Sequence, residues 1–300
     1  MRLDKLVSAR PRTLSIEFSP PRTPTGWTVM KSAIRQLADL GPDFMTVTYG
    51  AGGTTRDGTR EAVGIIHEGA NVPAMAHLTC VGSTRDDLRH LLDEYATAGI
   101  ANLLALRGDP PAGAGPFRPL PGGFAHARDL IEFLVADGRF AVGCAAFPER
   151  HPEAQTREAD WDNLIAKFRA GACLALTQMF FDAADYVALT RYLAARARPG
   201  ETFRVVPGIY PAFTWPDIVK FVAKYSPSTS LPPRLRAALE PVADDPLAGR
   251  KACLRYMADL CSDLLAAGAP GLHLYAMNST NKTNAVAELV TGLRLRGVLE

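Results

Sequence analysis

Leu103-Leu104-Ala105-Leu106-Arg107-Gly108-Asp109-Pro110-Pro111 decides how this chain is read. A short apolar run bounded by turn residues fits a strand buried on both faces, as in a parallel sheet covered by helices. The run breaks off at two opposite charges, Arg107 and Asp109, and a double proline then ends regular structure. Taken alone, the plain reading is a turn-capping aspartate beside a snorkelling arginine. A surface adhesion signal fits poorly, because such a tripeptide sits on a mobile loop and this one is joined to a hydrophobic strand. A functional site gains weight because the same pattern of apolar strand, polar exit and amphipathic helix recurs along the chain.

Outward from this stretch, strands are expected over 14–19, 44–49, 74–79, 141–147, 174–181, 203–209 and 272–277. Helical spacing follows them: Met30, Ala33, Ile34 and Leu37 share one face, as do Trp161, Leu164, Ile165 and Phe168. The connection before the last strand is longer and is read as helical pieces around 218–224, 234–239 and 253–265. Eight strands each followed by helix is the count of a parallel (β/α)8 TIM barrel, α/β in class, read here as a single domain over 1–300. An open doubly wound sheet is the alternative, since strand count alone does not force closure. The proline- and glycine-rich segment 110–123 is long for a loop inside a compact domain, which points to function.

Composition narrows the classes. The chain has 33 basic and 31 acidic residues among 300, and 47% are apolar. No basic stripe with interleaved aromatics is present, so no nucleic-acid role is assigned. No run suggests a signal peptide or a membrane span. The five cysteines lack metal or disulfide spacing and read as reduced thiols of a cytoplasmic protein. The six histidines are scattered, so no metal set is assigned, and no nucleophile elbow appears.

In a barrel, chemistry gathers at the C-terminal ends of the strands. Glu17, Thr48, His77, Arg107, Asp109, His151, Gln178, Tyr275 and Asn278 fall at or just beyond such ends. Each has a bland alternative: a satisfied core histidine for His77, a barrel-layer residue for Gln178, a salt bridge to Arg22 or Arg107 for Glu17. Gly50 to Gly53 is most simply a tight turn, since it matches no dinucleotide or P-loop spacing. Burial of Glu17 in an apolar strand is expected to raise its pKa and suit it to donate a proton near neutral pH. Phe147, Trp215 and Tyr275 are candidates to stack on a flat ligand.

The ordered motifs Glu17-Phe18-Ser19-Pro20-Pro21-Arg22, Val47-Thr48-Tyr49-Gly50-Ala51, His77-Leu78-Thr79-Cys80, Leu106-Arg107-Gly108-Asp109, Pro148-Glu149-Arg150-His151-Pro152-Glu153-Ala154, Thr177-Gln178-Met179-Phe180-Phe181-Asp182 and Leu272-His273-Leu274-Tyr275 resemble those of methylenetetrahydrofolate reductases. The resemblance implies a (β/α)8 barrel that reduces 5,10-methylenetetrahydrofolate to 5-methyltetrahydrofolate with a nicotinamide donor, NADH or NADPH, usually through bound FAD. It implies a short bacterial-type chain without the regulatory domain of larger members. Glu17 matches the general acid that protonates N10, and Asp109 the carboxylate beside the pterin. Gln178 matches a folate contact, while Trp215 and Tyr275 take the places of ligand-stacking aromatics. Thr48, His77, Arg107, His151 and Lys167 match flavin contacts.

The departures fall on the flavin side. His126 and Phe147 stand where the pattern has tyrosines, and Ala166 where it has a basic residue. The lost charge-assisted and neutral hydrogen bonds are worth about 1.5–3 and 0.5–1.5 kcal/mol each. The expectation is a reductase with weak or absent FAD, in which the nicotinamide passes its hydride directly to the folate. The competing reading is a non-catalytic folate-binding barrel of the same descent; intact Glu17, Asp109 and Gln178 speak against it.

Overall fold

Strands β1 (Thr13–Phe18), β2 (Phe44–Val47), β3 (Ala74–Thr79) and β4 (Asn102–Leu106) are followed by β5 (Ala141–Ala146), β6 (Leu174–Met179), β7 (Val205–Ile209) and β8 (Gly271–Tyr275). In the computed structural model, which describes residues 1–49, 56–109, 115, 117–211, 214–277 and 279–299, each strand pairs in parallel with the next. β8 returns to β1, so the sheet closes and the open-sheet alternative falls away. This is the (β/α)8 barrel expected from the strand count.

A short helix, α1 (Leu3–Ala9), precedes the barrel, and α2 (Pro24–Ala38), α3 (Arg56–Ala70), α4 (Arg85–Thr97), α5 (Ala127–Asp137), α6 (Arg157–Arg169) and α7 (Ala183–Ala194) follow the first six strands. Between β7 and β8 lie α8 (Trp215–Tyr225), α9 (Pro233–Leu239) and α10 (Pro246–Ala266), and α11 (Thr280–Leu295) follows β8. Many βα junctions carry a side-chain cap: Thr23, Thr84, Thr156, Asp182, Thr214 and Ser279 each accept from a backbone N–H of the first helical turn. Such caps satisfy donors that a helix start leaves open, and they set where each loop ends.

Strand alternation divides the core in two. Leu14, Ile16 and Phe18 of β1 join the layer between sheet and helices, as do Leu272 and Leu274 of β8. The opposite parity faces the barrel interior. Its lower part is apolar, with Phe44, Met75, Leu104, Leu174, Leu176 and Val206 packed against Leu3, Leu6 and Val7 of α1. Helix α1 thus plugs the N-terminal end, and Asn102 ties it down by accepting from Leu3 N–H at 2.7 Å while donating to the Ala74 carbonyl at 3.0 Å. The sequence reading had no element here. The signal was present in Leu3, Leu6 and Val7, but one seven-residue helix is too short for periodicity to declare.

The β1–β8 seam depends on Gly271, which opens β8 at φ +137°; a Cβ there would lie 1.9 Å from the Thr13 carbonyl oxygen. Backbone cannot yield by that distance without loosening the seam. Gly271→Ala is therefore expected to lower unfolding free energy by about 2–5 kcal/mol in urea titration. Wild-type stability in that variant would show that the seam tolerates a side chain.

Candidate active site

A cleft of about 390 Å³ opens at the C-terminal ends of the strands. Glu17, Thr48, His77, Arg107, Asp109, Phe147, His151, Lys167, Gln178 and Tyr275 all line it, so residues spread over most of the chain meet at one mouth. A larger hollow of about 860 Å³ lies at the opposite end beside Leu6, Asp43 and Pro73, the barrel face that carries stability rather than chemistry. Trp215 is not brought to the cleft. It is the first residue of α8, 9% exposed, with the Arg236 guanidinium 5.7 Å from its ring centroid. The aromatic rings lining the cleft are Tyr49, Phe147 and Tyr275 instead.

Glu17 forms the floor. Its Oε2 accepts from the Thr46 hydroxyl at 3.3 Å and meets His273 Nε2 at 3.2 Å. His77 Nε2 lies 3.4 Å from the same oxygen as an ion-pair contact and has no hydrogen-bond partner among the described residues. The expected upward shift of the carboxyl is corrected here. Burial does push it up, but the His273 hydrogen bond, the facing imidazoles and the Thr46 hydroxyl together bring it below its ordinary value. Burial also drives His77 down, against the pull of Glu17. Neither Arg22 nor Arg107 is the partner of Glu17, so the salt-bridge alternative gives way to an imidazole pair.

Tyr275 stands beside this floor, its hydroxyl donating to the Thr177 carbonyl at 2.6 Å and its ring edge-on to His273 at 5.3 Å. Burial, with Glu17 nearby, raises its phenol well above the ordinary value, so it stays protonated as a donor. Gln178 is half-buried, its Oε1 accepting from Met179 N–H at 2.9 Å. Asp109 is at the rim with its side chain 91% exposed, 4.0 Å from Arg107.

The cations of the cleft are already engaged. Arg107 grips Glu153 with both terminal nitrogens, Nη2 to Oε1 at 2.9 Å, and lies 5.0 Å from the Phe117 ring centroid. Lys167, from α6, donates to the Ala145 carbonyl at 2.5 Å. His151 accepts from Glu153 N–H through Nδ1 at 3.2 Å, with Phe147 edge-on at 4.9 Å; burial lowers its pKa although Asp160 pulls it up. Thr48 donates its backbone N–H to the Phe18 carbonyl at 2.9 Å. His126 is exposed at the start of α5, and Ala166 lies on an outer groove with Arg128 and Arg196. Arg107 is thus paired with a carboxylate, while Lys167 meets a neutral carbonyl and keeps its charge and two further N–H donors at this mouth.

Sequence reasoning missed Ser15, Thr46, Glu153 and His273. Ser15 and His273 were legible through alternation: each sits two residues before a chosen one, Glu17 and Tyr275, and so on the same interior face. Glu153 gave no such signal, since its partner is 46 residues away. Gly50 to Gly53, Pro110, Pro111 and Asn278 lie outside the described residues.

A closed parallel barrel with a buried carboxylate–imidazole floor at its C-terminal mouth defines a barrel enzyme equipped for proton transfer. Comparison with known proteins makes this specific. A family model described as methylenetetrahydrofolate reductase matches residues 2–291. The 5,10-methylenetetrahydrofolate reductase of Pectobacterium carotovorum is 33% identical over 273 residues, covering 91% of this chain and 88% of the relative. Methylenetetrahydrofolate reductase (NADH) 1 of Arabidopsis thaliana is 32% identical over 290 residues, covering 92% of this chain. The chain spans 48% of that plant relative's length. A Clostridium thermocellum protein solved with two copies of 5-methyl-5,6,7,8-tetrahydrofolic acid shares the fold at TM-score 0.65 and 13% identity, covering 98% of this chain and 99% of that one. The chain belongs to the methylenetetrahydrofolate reductase family of oxidoreductases.

The floor makes the fold acid-sensitive in two steps. His77 is held below 6.5, so its contribution is complete above that value and is lost as pH falls toward the folded pKa. Glu17 is held below 4.5, so its contribution is lost only as pH falls further. Melting temperature followed from about pH 8 to about pH 3 is expected to decline in both ranges, with His77→Gln reducing the upper decline, to which the lowered His67 and His151 also contribute. An unchanged profile in that variant would locate the sensitivity elsewhere.

Proposed function

We propose that this chain reduces 5,10-methylenetetrahydrofolate to 5-methyltetrahydrofolate in the cytoplasm, taking hydride directly from NADH. The observation that carries the reading is Glu17, held by Thr46 and imidazole at the bottom of a cleft whose rim bears Gln178 and Asp109. Family membership supplies the substrate class, and the plant relative named for NADH supports the donor.

The proposed chemistry needs one proton and one hydride. Proton delivery from Glu17 to N10 breaks the bond between the bridging carbon and N10, leaving a 5-iminium cation. Hydride from C4 of NADH then adds to that carbon, giving the methyl group and NAD⁺. Asp109 places a negative charge at the mouth where the cation develops, and such a fixed charge lowers the barrier most when it needs no reorganisation. Gln178 holds the pterin and Tyr275 packs against it, while Phe147 offers a second flat face. Direct transfer is supported by the pairing of Arg107 with Glu153 and by Phe147 and Ala166, which stand where the family pattern has a tyrosine and a basic residue.

Purified protein is expected to be colourless in its visible spectrum and to show sequential kinetics. Deuterium from C4 of labelled NADH should be retained in the 5-methyl group, because direct transfer offers no exchange with water. A stoichiometric yellow flavoprotein that loses the label would sink the direct route.

Glu17→Gln should lower kcat by about 10²–10⁴-fold while folate binding persists. Near-normal turnover in that variant would remove Glu17 as the acid. Binding without any turnover by the wild-type protein would favour a folate-binding barrel.

A further inference from the structure

Behind Glu17 the interior of the barrel continues as a hydrogen-bonded line. His273 is fully buried, and its two ring nitrogens face different partners: Nε2 meets Glu17 Oε2 at 3.2 Å, and Nδ1 meets Ser15 Oγ at 2.9 Å. Ser15 is fully buried too, and its hydroxyl also reaches the Leu272 carbonyl at 3.4 Å. β1 and β8 set this line directly, since Ser15 registers with His273 and Glu17 with Tyr275. A fully buried imidazole held between a carboxylate and a hydroxyl at the inner end of the cleft has little structural purpose there; an apolar side chain would fill the space without needing two polar partners.

We infer that His273, oriented by Ser15, is the proton store for Glu17, so that the carboxylate and imidazole supply the proton for N10 as one unit. The proposal rests on the reading of Glu17 as the acid. In the loaded pair Glu17 is ionised and His273 carries a proton on each nitrogen. Nδ1–H donates to Ser15 Oγ, which turns its own hydrogen to the Leu272 carbonyl. When folate opens its bridge, the Nε2 proton passes to Glu17 and the carboxyl gives a proton to N10. His273 is left neutral with its remaining proton on Nδ1, and Glu17 is left ionised as it began. One proton from water, entering through Glu17 after product leaves, reloads the pair.

This division of labour answers a difficulty of the site. A carboxyl surrounded by donors does not keep a proton readily, yet the reaction demands one at that position. Storing it on the adjacent imidazole keeps it within one hydrogen bond of the reacting group. The other groups facing Glu17 are Thr46 from β2, which does not titrate in this range, His77 from β3, and Tyr275 from β8. His77 cannot substitute on geometry, because its Nε2 lacks a hydrogen bond to the carboxylate. His273 acts through Glu17 and is a positioning residue.

The test compares His273→Gln and Ser15→Ala with the wild type and Glu17→Gln in single-turnover reduction of methylenetetrahydrofolate by NADH, across pH. His273→Gln can still donate an amide hydrogen to Glu17 but cannot store a proton. It is expected to slow turnover about 100-fold, with folate affinity within about twofold. The alkaline limb should move to lower pH, because the carboxyl is then the holder of the proton. Ser15→Ala, which leaves Nδ1 without its partner, should slow turnover about 3- to 10-fold with a limb displaced in the same direction. If His273→Gln fails to fold, Ser15→Ala decides alone.

Wild-type rates and an unmoved limb in the variants, with Glu17→Gln inactive, would overturn the store and leave the reading of Glu17 standing. A loss confined to folate affinity would equally overturn it. Equal activity in Glu17→Gln and wild type would instead overturn the reading on which it rests.

Discussion

A carboxylate placed inside a barrel must be given donors, and most of what is particular to this chain follows from that requirement at Glu17. An ionised group left unpaired in a low-dielectric interior is costly enough that it neutralises or the fold gives way. The chain meets the demand with one donor from each flank, Thr46 on β2 and His273 on β8, and sets His77 of β3 against the same oxygen. All lie on the interior face, so the solution exists only when the sheet is closed and β1 stands between β2 and β8. Closure and chemistry therefore depend on the same seam.

The division of the interior into an apolar lower half and a polar upper half explains why the site is where it is. Phe44, Met75, Leu104, Leu174 and Leu176 fill the N-terminal part, and α1 seals it. Two residues higher on β2, β3 and β6 come Thr46, His77 and Gln178, so alternation carries these strands from packing to polar groups. The capped helix starts then fix the lengths of the loops above the mouth. A ligand entering there meets polar groups held by rigid strands rather than by the loops.

This layering marks the boundary of what the sequence made legible. The eight strands and the helical pieces before β8 were readable, because buried parallel strands and amphipathic helices leave periodic marks on neighbouring residues. Most of the cleft residues were readable because they stand at or just beyond strand exits, whereas Lys167, on α6, was reached only through the family resemblance. What escaped depends on contacts between distant segments. Trp215 has the composition of a stacking residue, yet α8 turns it into the packing beneath Arg236, an outcome no local pattern records. Glu17 looked like a carboxyl raised by burial, because the strand around it is apolar. Its donors come from 29 and 256 residues away, and they reverse the direction.

Arg107 and Asp109 show the same boundary within three residues. As a sequence they form one charged motif at the end of β4. Folded, they have separate lives: Asp109 stays at the open rim, while Arg107 turns to Glu153 in the loop after β5 and lies against Phe117. A guanidinium held bidentately keeps little free capacity for a second anion, since both terminal nitrogens already point at one carboxylate. Lys167 differs, since it gives one hydrogen to a neutral backbone carbonyl and keeps its charge and two further donors. Glu17 with its imidazoles and the exposed Asp109 thus face the open cleft, while Arg107 and Lys167 at the same time brace its walls. One mouth therefore carries both a buried carboxylate–imidazole group and cations tied to neighbouring segments.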